Sequence, residues 1–170
     1  MEFNRLLSSV ISTYGEPSFK KSTNEKKNTT EQFDPINNKN YQLIKNVNEI
    51  DSWIDEAEEV GEIAVDTETD SLDPHQANLV GISLSTKIGK ACYIPVGHKS
   101  KESLNKKDVL KKIRFLLEDP SIKKIGQNIK FDFIVFYKNG IHLNSMEDTM
   151  LMSYVLDAGK NRHNMDILSE

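Results

Sequence analysis

Two carboxylates at neighbouring positions on one strand face call for a proton or a cation between them, and Asp66 and Glu68 are spaced that way. The octet Glu62-Ile63-Ala64-Val65-Asp66-Thr67-Glu68-Thr69 begins as an apolar strand and ends acidic. Successive strand side chains alternate faces, so Asp66 and Glu68 point the same way and Thr67 points opposite. At about 5.5 Å and an effective dielectric of 20, their repulsion costs roughly 3 kcal/mol. A divalent metal would relieve it. The competing reading is an acidic strand-to-loop exit, with Asp and Thr serving turn geometry.

A second carboxylate lies further along the chain. The spacing predicts a helix over 128–139 closed by Gly140, with Asn128 as its N-cap. Within it, Asp132 has Ile129 three residues before and Val135 and Phe136 three and four after, on its own side of the helix. A buried ionised carboxylate needs a partner or a metal. Alternatively, Asp132 occupies a first turn, where the helix dipole favours an anion. A carboxylate pair leaving a strand, with a third at the start of a later helix, matches the needs of two-metal phosphodiester hydrolysis. There one ion lowers the pKa of the attacking water and a second, ~3.5–4 Å away, stabilises the leaving 3′ oxygen. Hard oxygen ligands suit magnesium or manganese.

The elements around these residues read as α/β. Tyr41-Gln42-Leu43-Ile44 predicts a strand, followed by a helix capped by Asn46 and Glu49 and stopped at Gly61. After the acidic strand, Ser71-Leu72-Asp73-Pro74 reads as a loop. Residues 78–85 and 90–96 read as two strands of an antiparallel meander, with Cys92 a core residue and His75 and His98 at the surface. A helix opened by Asn105 carries Val109, Leu110, Ile113, Leu116 and Leu117 inward, and 122–126 is a strand reached by a parallel crossover. Glu147 to Leu156 predicts a helix with Met150, Leu151 and Val155 inward, and Met165-Asp166-Ile167-Leu168 begins another. An antiparallel meander followed by crossovers with flanking helices is the ribonuclease H-like layout.

The 170 residues hold one ordinary domain and a tail: a short helix over 3–11, then a polar flexible linker from Lys20 to Asn40. A net charge of −4 argues against a nucleic-acid coat protein, though not against an enzyme gripping a few nucleotides through metals. One cysteine excludes an internal disulfide framework. With no apolar run of membrane-spanning length and no secretory layout at the start, the expected partners exclude a membrane and the expected location is the cytoplasm.

Asp66-Thr67-Glu68-Thr69-Asp70-Ser71-Leu72 resembles the first motif (Asp-x-Glu) of the 3′–5′ exonuclease, or proofreading, domain of bacterial DNA polymerase I, and Asn128-Ile129-Lys130-Phe131-Asp132 resembles its second. Ala77-Asn78-Leu79-Val80-Gly81, Tyr93-Ile94-Pro95-Val96, Asp148-Thr149-Met150-Leu151 and Arg162-His163-Asn164-Met165-Asp166 extend the likeness over about residues 41–170. More faintly, Phe3-Asn4-Arg5-Leu6-Leu7 resembles the end of the 5′-nuclease domain preceding it in those polymerases. The resemblance implies a DEDD-type enzyme removing nucleoside 5′-monophosphates from single-stranded or frayed DNA 3′ ends with two divalent ions, Mg2+ or Mn2+. Asp66 would bridge both ions, Glu68 would hold the first ion and its water, and Asp132 would serve the second. Leu72 would wedge against the terminal bases, its bland alternative being core packing. Thr69, Gln127 and Asn128 would lie near the bound nucleotide.

The family's third motif, Tyr-x-x-x-Asp, is expected beyond Glu170, and Tyr154-x-x-Asp157 has the wrong spacing for it. The chain alone is therefore expected to bind manganese weakly and cleave DNA poorly or not at all. Three readings follow: an exonuclease module partnered with a polymerase domain of the same or a neighbouring chain; a nucleic-acid-binding or scaffold fragment; and, less favoured, a ribonuclease D-like RNA exonuclease.

Overall fold

In a computed structural model of the chain, described over residues 4–15, 40–99, 103–158 and 162–168, the acidic octet is strand β2 (Glu62–Thr69) at the heart of a six-stranded sheet. The other strands are β1 (Tyr41–Leu43), β3 (Leu79–Lys87), β4 (Lys90–Pro95), β5 (Lys123–Gly126) and β6 (Met146–Asp148). Their order is β1-β4-β3-β2-β5-β6. β2, β3 and β4 form the antiparallel meander, while β1 joins β4, β5 joins β2 and β6 joins β5 in parallel. The fold is thus the mixed, ribonuclease H-like α/β sheet that the sequence implies.

Burial alternates along β2: Ile63, Val65 and Thr67 face inward, while Ala64, Asp66 and Glu68 face out. The inward face meets Ile82 and Leu84 of β3, Cys92 and Ile94 of β4, and the apolar stripes of three helices. These are α2 (Asp51–Val60), α3 (Lys106–Glu118) and α4 (Lys130–Lys138). All five apolar residues expected to line α3 are buried, and Asn105 caps it by accepting from the N–H groups of Lys107 and Asp108. Gly61 closes α2 at φ 77°, a left-handed turn that side chains resist. Burial pushes the Cys92 thiol up to about 12, in keeping with a core residue.

Several local readings are corrected. Glu49 does not close a capping box on Asn46. A 3₁₀ turn (Val47–Ile50) precedes α2, and Glu49 Oε2 accepts from the Lys45 N–H at 3.3 Å instead. The second-motif helix starts at Lys130, and Asn128 is not its cap: it sits at φ 55° in the loop before it. Glu147 and Asp148, expected in a helix, belong to edge strand β6 (Met146–Asp148), too short to show a period. Helix α5 (Thr149–Asp157) begins only after Asp148 caps it. Leu151 and Val155, expected inward, are 58% and 85% exposed.

The chain divides into Met1–Asp34 and Pro35–Glu170. The first unit holds α1 (Asn4–Tyr14), close to the helix expected over 3–11. The linker expected from Lys20 to Asn40 lies outside the described residues, Asn40 excepted. The last described element is α6 (Met165–Leu168). Among the described residues no helix is long and apolar enough to cross a membrane.

Candidate active site

β5 pairs with β2 only from Glu62 to Ala64 and stops at Gly126. Beyond that point no strand among the described residues lies on the β5 side of β2, and the first turn of α4 supplies a carboxylate instead. Asp132 Oδ1 accepts from the Thr67 backbone N–H at 2.8 Å and from the Thr67 hydroxyl at 2.6 Å. A parallel pair that ends early leaves a crevice at the carboxyl ends of its strands, a common place for ligands in open sheets. The carboxylate on an apolar helix face therefore has a partner, Thr67, and no buried side-chain polar atom among the described residues lacks one.

The charges remain costly. Asp132 is 2% exposed, and burial first, then the charge of Asp66, push its pKa up to about 6 against the opposing pull of the Thr67 hydroxyl. Asp66 keeps a solvent-accessible side. Even so, atoms packed about its carboxyl, and then Glu68, raise its pKa above the usual carboxylate range. Glu68 thus presses on Asp66, and Asp66 in turn on Asp132, a run of like charges that favours a cation.

The residues expected near the substrate lie at or beyond the carboxyl ends of β2 and β5. Thr69 ends β2 at an irregularity in the β2–β3 register and donates its hydroxyl to the Ser71 carbonyl at 2.8 Å. Leu72 follows in the loop, 98% exposed, which excludes the core-packing alternative. The loop is not slack. Asn78 donates its backbone N–H and its side-chain amide to Asp70 at 2.7 and 2.9 Å, and Lys138 of α4 donates to the carbonyls of Pro74 and Ala77 at 3.2 and 2.9 Å. Gln127 donates to the His163 carbonyl at 2.8 Å and accepts from the Thr149 hydroxyl.

Asp148 is a site-building residue that the spacing left unassigned. It accepts from the N–H groups of Asn128 and Ile129 at 3.0 and 3.1 Å, and from those of Met150 and Leu151 at 2.9 and 3.4 Å. One carboxylate therefore fixes both the loop into α4 and the start of α5. Its position as an N-cap Asp was the available signal, hidden by reading β6 as helix. His163, buried, accepts or donates at Nδ1 with the Ser153 hydroxyl at 2.7 Å and packs its ring 3.9 Å from that of Tyr154.

A profile of the 3′–5′ exonuclease family matches residues 41–170. The chain belongs to that family. Among proteins similar to this exonuclease, DNA polymerase I of Rhizobium leguminosarum is 40% identical over 157 residues, covering 80% of this chain and 15% of its own. DNA polymerase I of Pseudomonas aeruginosa is 41% identical over 135 residues, covering 76% of this chain and 15% of its own. This chain thus spans about a seventh of the curated relatives it matches. Among solved structures, Brucella melitensis NrnC with bound Mg2+ aligns with a TM-score of 0.56 and 25% identity, over 75% of this chain and 57% of that one. The exonuclease is accordingly of the polymerase I type, a hydrolase domain.

The donor chemistry fits a hard divalent ion, since every candidate ligand is a carboxylate. Among the described residues, however, no three His, Cys, Asp or Glu side chains converge closely enough to cage one. Magnesium seldom needs such a cage: it keeps several waters and takes one or two carboxylates together with substrate phosphates.

Proposed function

We propose that this exonuclease shortens DNA from the 3′ end, releasing nucleoside 5′-monophosphates, as the proofreading module of a polymerase I-type protein in the cytoplasm. The observation that carries the reading is Asp132 docked on Thr67, which brings the second-motif carboxylate to the strand position flanked by Asp66 and Glu68. Asp66 and Glu68 would hold one divalent ion, and Asp66 with Asp132 a second. Two such ions, Mg2+ or Mn2+, supply a water of lowered pKa and stabilisation of the leaving oxygen. Thr67 favours the ionised form of Asp132 against its burial and aims it. Asn128, in a left-handed turn with its backbone N–H pinned by Asp148, would lie with Gln127 near the terminal nucleotide. Leu72, exposed on a clamped loop, wedges against the terminal bases, and Thr69 braces the turn that leads to it. The natural partner is a polymerase domain, in the same or a neighbouring chain, that delivers a frayed 3′ end.

A second reading, binding without efficient cleavage, draws on the absence of a three-ligand group among the described residues. Matched single strands of DNA and RNA, labelled at the 5′ end and incubated with Mn2+, test both. The proposal expects DNA to shorten stepwise from its 3′ end and faster than RNA. Retarded but uncut DNA would favour the binding reading, and a preference for RNA would move the substrate class.

A further inference from the structure

Gly81 on β3 is register-paired with Glu68 on β2 and with Pro95 on β4, so it shares the sheet row of the second site carboxylate. The space its side chain would fill is already taken. A Cβ at this position would lie 1.9 Å from the Tyr93 hydroxyl oxygen and 2.3 Å from the ring carbon that bears it. Tyr93 starts from the neighbouring row, where it pairs with Ser83, which pairs in turn with Asp66. Its ring therefore leans diagonally over Gly81 and carries the hydroxyl toward Glu68. Desolvation, and then the Glu68 charge, hold the phenol above its ordinary pKa, which agrees with that placement.

The hydroxyl is also aimed. It lies 2.7 Å from His98 Nε2, with the two rings 5.8 Å apart and tilted by 59°. His98 follows β4 on an exposed segment. A half-exposed phenol kept for packing alone could satisfy its hydroxyl with water, at little cost. Here a glycine clears the path for the ring, and a histidine fixes the end of it beside a site carboxylate.

We propose that Tyr93, its hydroxyl oriented by His98, forms the Glu68-side wall of the substrate site and hydrogen-bonds the sugar-phosphate of the terminal nucleotide. The inference rests on the exonuclease reading above. A sugar-phosphate offers acceptor oxygens and a terminal hydroxyl, and a phenol can donate to either. Contacts of this kind position a strand without reading its bases, as an exonuclease indifferent to sequence requires.

The test is binding of a dye-labelled oligodeoxythymidylate to the whole chain in Ca2+, followed by fluorescence anisotropy, with melting temperatures measured alongside. Tyr93→Phe should weaken binding about three- to tenfold, the loss of one hydrogen bond, and melt with the wild type. His98→Ala should weaken it in the same direction by less, and Tyr137→Phe on α4 should not change it. Unchanged binding by Tyr93→Phe overturns the proposal, as does a loss matched by a fall in melting temperature. Asp66→Ala separates the two levels. If it weakens binding and Tyr93→Phe does not, only the Tyr93 assignment falls. If the wild type and Asp66→Ala bind alike, the exonuclease reading falls and takes the assignment with it.

Discussion

Thr67 grips one oxygen of Asp132 twice, through its backbone N–H and through its hydroxyl, across 65 residues of sequence. The residue between the two strand carboxylates thereby positions the helix carboxylate. Its outward neighbours Asp66 and Glu68 face solvent while Thr67 faces the helix, so one strand serves two sides of the crevice. Strand alternation is what makes the arrangement possible.

Thr67→Val keeps the shape and the backbone donor but removes the hydroxyl. It should cost about 1–3 kcal/mol of stability near pH 8, where Asp132 is ionised, because a buried acceptor loses a donor. The loss should shrink under acidic conditions, and Thr67→Ser should restore most of it. Urea denaturation at the two pH values checks this.

Asp132 itself should set a pH dependence of stability. Its folded pKa of about 6 lies above the ordinary 3.8, so the folded chain binds this proton more tightly than the unfolded one. The stability that follows is fully present below the ordinary value and is lost as pH rises through about 6. Asp132→Asn removes that slope. Melts in chelator should show the variant gaining on the wild type across this window, and parallel curves would mean an ordinary pKa in the fold.

Asp148→Ala strips an acceptor from four backbone N–H groups in two elements. A destabilisation of about 2–4 kcal/mol is expected, the upper range for loss of a cap joined to a buried network. Amide hydrogen exchange should quicken at Asn128 and Ile129 as well as at Met150, which distinguishes a shared bracket from a simple cap.

Leu72→Ala should behave in the opposite way. A side chain 98% exposed contributes little to folding, so stability should stay within about 0.5 kcal/mol of wild type. Affinity for a single-stranded DNA end should fall, as read by anisotropy with the same labelled oligonucleotide. Loss of stability with intact affinity would remove Leu72 from the site.

Long periodic elements were legible in the sequence, and so was the acidic strand. The stripe of α3 is buried as its spacing predicts, and β2 presents Asp66 and Glu68 on one open face because alternation alone decides that. Short elements and long-range partners were not legible. β6 has three residues and no period, so it read as helix and displaced Asp148 from its capping position. Lys124 looks like a surface residue by composition, yet it is fully buried, its ammonium donating to the carbonyls of Asp119 and Ile122 at 2.6 Å each. The Thr67–Asp132 pair, 65 residues apart, depends on where two elements meet, which local pattern does not encode. Motif resemblance located Asp132, but only the fold supplies its partner.

The most direct test of the account is the fate of a 5′-labelled single DNA strand incubated with the whole chain and Mn2+, with products resolved by length. Slow, stepwise shortening from the 3′ end is predicted, because few protein ligands hold the ions, and it should vanish with Asp66→Ala or with chelator. A strand shortened equally by the wild type and by Asp66→Ala, or left equally intact by both, would contradict it.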